Sequence, residues 1–193
     1  MKRKELTLTI KKEYSNLIEC IKSNLIKEET EEASKLILES KDAMKRGLFT
    51  KKLLFKIAYW KSPRKAYFTE LNSRKSIRKK FLELAIIQDD KKKLNLLDKL
   101  QGVGVPTASA ILAIIDPEKY GVIDFRVWEL LILYDYVDKN SNSKQLKTDD
   151  WLEYIKILRE LANELNVTTK DIERTLFKYH KKITSKKKKN TKC

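Results

Sequence analysis

From residue 12 onward the apolar positions recur at helical spacing. Tyr14, Leu17, Ile18, Ile21 and Leu25 fall on one face, with Lys and Glu opposite. The stretch EEASKLILESKDAMKRG predicts a second helix ended by Gly47, a residue suited to the position just past a helix terminus. TKKLLFKIAYWKS predicts a third, with Leu53, Leu54, Ile57 and Trp60 on its apolar side and a stop near Pro63. YFTELNSRKSIRKKFLELAII predicts one or two more, broken at Asn72-Ser73, where Ser73 can cap the next helix. DDKKKLNLLDKL and VPTASAILAII predict helices on either side of residues 100–104. Asp116-Pro117 ends the second of these, because the residue before a proline is driven out of the helical region. DFRVWELLILYDYV predicts a long apolar helix from Asp124, residues 138–147 a loop, and about 148–165 and 168–182 two closing helices. Near the start, ELTLTI alternates and is compatible with one short strand.

The pattern predicts an all-α, compact multi-helix protein with no internal repeat. Residues 1–182 are expected to form a single domain: N-terminal helices over 11–95, a hairpin and adjoining segment over 94–137, and C-terminal helices over 148–182. The lysine-rich end, 183–193, is expected to be a basic disordered tail. Only four glycines and three prolines occur in 193 residues, too few for the turns of a sandwich or barrel. Two of the four, Gly102 and Gly104, sit one residue apart at a single corner between two helices.

Charge changes the picture. There are 43 Lys+Arg against 27 Asp+Glu, a net charge of +16, and a field of that sign attracts polyanions such as nucleic acid. A solvated, lysine-rich surface is the plainer reading of the same number. Two cysteines, Cys20 and Cys193, cannot build a disulfide framework, a four-cysteine zinc site or an iron–sulfur cluster. His180 is the one histidine, so neither a metal site nor a histidine relay is supported. No apolar run approaches a membrane span and the start lacks a signal-peptide core, which predicts a soluble, cytoplasmic protein. No cofactor or metal is expected, and the protein is expected to be a monomer.

The glycine corner can do more than turn. Glycines there avoid a Cβ clash and leave backbone N–H groups uncovered beside the positive end of the next helix, an arrangement that binds phosphate oxygens. Pro106 fits the first turn of that helix, where its missing N–H costs nothing. Small Ala108, Ser109 and Ala110 let the helices pack closely. The alternative is an ordinary helix–turn–helix corner.

Residues 97–131, LDKLQGVGVPTASAILAIIDPEKYGVIDFRVWELL, resemble the helix-hairpin-helix DNA glycosylase superfamily, the endonuclease III-like group. The resemblance rests on Leu100-Gln101-Gly102-Val103-Gly104, Thr107-Ala108 and Ile123-Asp124 at matching spacing, and more loosely on DIERTLFKYHKK near the end. It implies a helix-hairpin-helix motif whose corner, Gly102, Val103, Gly104, Val105 and Thr107, grips the backbone of double-stranded DNA. It implies that Asp124 is catalytic in excising a damaged or modified base. Pro106 stands where bifunctional members carry a lysine, which closes the Schiff-base route through that position and implies a monofunctional, hydrolytic enzyme. Phe125-Arg126 replaces the Thr-His common in the family.

Asp124 has a second reading as the N-cap of the helix it opens. Arg126 is expected either to contact phosphate or to pair with Glu129 or Glu118. Trp60, with Lys61, Arg64 and Lys65, offers an aromatic face for a flipped base and cations for the strand around it, or else Trp60 packs in the core. Trp128 is expected in the core. Besides a glycosylase, a non-catalytic DNA-binding protein and an all-α protein-interaction domain remain open.

Overall fold

The computed structural model describes residues 14–138 and 146–190. Among them lie ten α-helices and one 3-10 turn. They are α1 (Leu17–Asn24), α2 (Glu31–Lys45), α3 (Lys51–Lys61), α4 (Pro63–Ala66), the 3-10 turn Tyr67–Leu71, α5 (Arg74–Ile86), α6 (Asp90–Asp98), α7 (Val105–Ile115), α8 (Phe125–Leu133), α9 (Thr148–Leu165) and α10 (Thr169–Asn190). The described residues contain no strand. ELTLTI, Cys193 and most of the expected loop over 138–147 lie outside them.

Helix starts follow side-chain caps. Asn16, Thr30, Thr50, Ser73 and Asp89 each accept a backbone N–H from the first turn of the helix they open. Such a cap contributes about 1 kcal/mol. The Ser73 cap confirms the break expected at Asn72-Ser73.

The centre of the fold is α7. Its residues from Thr107 to Ile114 are all buried, as expected of a helix apolar on every side. It packs against α2, α3, α6 and α9. On one side of it α2, α3, α5 and α6 pack on one another. On the other, α10 packs against α8, α9 and α1, so the first helix closes against the last. Trp128, Trp151 and Tyr154 are fully buried in that second layer. Burying each such side chain contributes roughly 1.5–3 kcal/mol, the main term holding the halves on α7.

Two helix ends differ from expectation. α8 stops at Leu133 because the chain turns left-handed at Asp135, φ 61°. Aspartate tolerates that region better than most residues, and neither glycine nor proline marks the turn. α10 runs on to Asn190, past the end near 182 expected for the last helix, and 191–193 lie outside the described residues. Ile183 is buried and extends the apolar face by one turn, and lysine is a good helix former.

Candidate active site

The glycine corner joins α6 to α7, and its two glycines do different work. Gly102 has φ +75°, and a Cβ there would lie 2.7 Å from the backbone N of Thr69 and 2.8 Å from the carbonyl carbon of Phe68. It is glycine because the fold needs it. Asn72 fastens the same corner: its side-chain oxygen accepts from the Gln101 N–H at 2.9 Å, and its amide donates to the Gln101 carbonyl at 2.9 Å. Gly104 has φ −98°, an ordinary value, and a Cβ there would meet nothing within 4 Å. The expected Cβ clash is therefore found at Gly102 and not at Gly104. What its lack of a side chain leaves is open approach to the start of α7.

Two of the expected backbone donors are already used. The Val103 N–H donates to the Leu100 carbonyl at 3.1 Å, and the Thr107 N–H to the Gly104 carbonyl at 2.8 Å. The side chains of Val103 and Thr107 are buried. The N–H groups of Gly104 and Val105 find no acceptor among the described residues and remain for a ligand.

A single serine ties this corner to Asp124. The Ser109 hydroxyl donates to the Pro106 carbonyl at 2.9 Å and accepts the N–H of Ile123 at 3.0 Å. From the other side the Tyr154 hydroxyl donates to the Val122 carbonyl at 2.9 Å. Residues 122–123 are thus held between α7 and α9, and Asp124 follows at the head of α8.

The Asp124 carboxylate divides its two oxygens. Oδ1 accepts from the Arg126 N–H at 3.1 Å, which caps α8, and from the Arg126 guanidinium at 3.3 Å. Oδ2 accepts from the Lys61 ammonium at 3.0 Å. The carboxylate is 11% exposed and the Lys61 side chain 16%. Capping and a place in a cleft coexist in one side chain, with the Lys61 amine directly beside it. Arg126 pairs with Asp124, a partner outside the expected alternatives of phosphate, Glu129 or Glu118, and lies over the rings of Phe125 and Phe177 at 4.4 and 5.2 Å.

Asp124 opens into a pocket of about 340 Å³ at the seam between the two layers. That volume is at the lower end for ligand sites, roughly 300–1,000 Å³. Trp60 and Lys61 come from the end of α3, Asp124 and Arg126 from the head of α8, and Glu173 and Phe177 from α10. Trp60 is partly buried, so it both packs on the core and lines the pocket. The Lys170 ammonium sits 5.2 Å from its ring centroid and 3.0 Å from Glu29, which Arg174 also binds at 2.8 Å. Arg64 and Lys65, expected to hold the strand around a flipped base, are exposed on α4 and do not line the pocket.

Sequence reasoning missed Glu173. It is buried, and burial pushes its carboxyl above the ordinary glutamate value against the pull of Lys170 and Lys61, with Asp124 adding to the rise. Its segment, DIERTLFKYHKK, carried part of the family resemblance, which was the signal available. His180 pairs with Glu129 at 3.1 Å, and no group of His, Cys, Asp and Glu among the described residues could hold a metal. Cys20 is buried and forms no disulfide among the described residues. A second groove of about 900 Å³ lies at the other end of α3, where Lys52, Arg74 and Arg78 line it without an ion pair to any described residue. None of the described helices is long and apolar enough to cross a membrane.

No family model matches this chain, and no curated protein or solved structure matches it either.

Proposed function

We propose that this protein is a DNA glycosylase that hydrolyses the N-glycosidic bond of a damaged or modified base flipped out of duplex DNA. The observation that carries the reading is the placement of Asp124. Its carboxylate lies at the mouth of an aromatic-walled pocket and is tied through Ile123 and Ser109 to the first turn of the helix after the glycine corner. The resemblance to the helix-hairpin-helix superfamily points the same way. In this reading the free N–H groups of Gly104 and Val105 hold a phosphate of the strand. The base enters between Trp60 and Phe177, and C1′ of its sugar comes to rest beside Asp124. Breaking the C1′–N bond builds positive charge on the sugar, and a fixed carboxylate lowers that charge's energy and orients the attacking water. Lys61 and Arg126 hold the carboxylate in place.

The test is a panel of duplexes bearing different lesions, scored for alkali-labile abasic sites. Formation of abasic sites on at least one duplex, and their loss in Asp124→Asn, is the expected result. A protein that binds every duplex and excises nothing is instead a non-catalytic DNA-binding protein. The cap bond from the Arg126 N–H to Asp124 favours that second reading.

A further inference from the structure

We infer that Glu173 is the proton donor to the departing base, and that the pocket accepts an uncharged base in preference to a cationic N-alkylated one. This rests on the base-excision reading and specifies its substrate class.

Glu173 lines the same pocket as Asp124 and is 7% exposed. No hydrogen bond or ion pair joins its carboxyl to any described residue, although Lys170 and Arg174 on its own helix are each ion-paired to Glu29. A carboxyl on a buried residue, unpartnered by the described residues and opening onto a cavity, is available to whatever enters that cavity. Its position is set by packing, since the Glu173 Cβ lies 3.0 Å from where a Cβ on Gly121 would be. The groups acting on it come from every side: Lys61 on α3, Asp124 at the head of α8, Tyr154 on α9, and Lys170 and Arg174 on α10. Burial dominates and favours its neutral, proton-bearing form. Asp124, by contrast, is ion-paired directly to the Lys61 ammonium and the Arg126 guanidinium. Two carboxyls in one pocket, one favoured neutral and one ion-paired, divide into an acid and an electrostatic stabiliser.

The step balances. The Glu173 proton passes to a ring nitrogen or exocyclic oxygen of the base as the C1′–N pair of electrons leaves with the base. Water bonds to C1′ through its oxygen, and the proton it releases restores the Glu173 acid.

The same pocket selects against positive charge. Five basic side chains line it against three carboxyls, one of them Glu173. A base alkylated at a ring nitrogen already carries a positive charge, leaves as a neutral molecule and needs no proton donor. It would enter a cavity whose surplus charge repels it. A neutral base leaves with negative charge developing on it, which the surplus cations and the proton both offset.

The experiment uses the full chain under single-turnover conditions, on duplexes carrying uracil, hypoxanthine or 8-oxoguanine as neutral bases and 7-methylguanine as the cationic one. The expected result is excision of a neutral base, a wild-type rate that falls as pH rises through the Glu173 titration, and no preference for 7-methylguanine. Glu173→Gln keeps shape and should lose ~10²-fold or more on the neutral base together with that pH limb. Glu173→Asp, with the acid retained on a shorter arm, should lose less, and thermal melts of both variants check that the fold survives. Preferred excision of 7-methylguanine, or a Glu173→Gln protein with the wild-type rate and pH profile on a neutral base, overturns the inference and leaves base excision standing. Excision of no base from any bound duplex removes the base-excision reading and this inference with it.

Discussion

At Gly102 and Gly104 the same residue type answers to different constraints, and substitution separates them. Gly102→Ala puts a Cβ into the Phe68–Thr69 backbone at a positive φ. The left-handed conformation alone costs roughly 1–2 kcal/mol and overpacking about as much again, so a stability loss of about 3 kcal/mol is expected in denaturant titration. Gly104→Val meets open space, and only the weaker capping ability of valine counts against it, about 1 kcal/mol. It should stay helical by circular dichroism and lose duplex affinity, because the new side chain stands where a phosphate would approach the Gly104 and Val105 amides. Unchanged affinity in that folded variant would make the glycine corner a turn and nothing else. Asp124→Asn leaves an oxygen for the cap and removes the charge. It should bind DNA as wild type does and excise ~10²–10³-fold more slowly, a loss of about 3–4 kcal/mol in transition-state stabilisation. Wild-type excision by this variant would reduce Asp124 to its capping role. The turn at the corner and Asp124 as the cap of α8 were legible from sequence, because glycine and cap chemistry act within a few positions. Glu173 was not given a role there, since what distinguishes it is burial without a partner and a cavity wall shared with a residue far away in the chain.

Among the elements, helix existence was legible for most of the described chain, because periodicity and cap residues act within a few positions of each other; the one-turn α4 over Pro63–Ala66, where a stop was expected, was not. Endings that depend on tertiary packing were not: the left-handed turn at Asp135 and the extension of α10 past Ile183 have no glycine or proline to mark them. The pairing of elements was also invisible. α6, the first helix of the glycine corner, is held to α9 by Asp90, whose carboxylate accepts from Arg159 at 2.6 Å and from the Tyr120 hydroxyl at 2.7 Å. Arg159 also donates to the Lys119 carbonyl at 2.9 Å. Burial works against the Asp90 anion, yet the bonds from Arg159 and Tyr120 bring its carboxyl below the ordinary aspartate value, while burial and then the same carboxylate push the Tyr120 hydroxyl up. Removing a partly buried, charge-assisted pair of this kind costs roughly 1.5–3 kcal/mol, so Asp90→Ala is expected to lose about 2 kcal/mol near neutral pH. Because the folded-state value is depressed, this contribution is complete above the unfolded-state value, near 4, and is lost as pH falls through the folded one. Melts of wild type and Asp90→Ala should therefore converge in acid; a gap that stays constant down to strongly acid pH would show the loss to be one of packing.

For the whole molecule the dominant quantity is charge, +16 on 193 residues. That number was available from the sequence, but its distribution was not. Several cations are spent inside the protein: Lys61 and Arg126 on Asp124, Lys170 and Arg174 on Glu29, Arg159 on Asp90. Others, such as Lys52, Arg74 and Arg78 in the groove at the far end of α3, carry no ion pair to a described residue and are free to meet phosphates. If about five phosphates are neutralised on a bound duplex, log K should fall with log salt at a slope of about −4 to −5. Counterion release counts cations, and backbone amides do not contribute to it. Gly104→Val should therefore weaken binding in parallel at every salt concentration and leave the slope alone. Arg74→Ala or Arg78→Ala, where the side chain contacts a phosphate, should flatten the slope by about one. Fluorescence anisotropy on a labelled duplex between low and moderate salt distinguishes these outcomes. A flat dependence in the wild type would remove nucleic acid as the partner and leave the charge as a solvated surface, and with it the basis for placing any strand against the corner or the pocket.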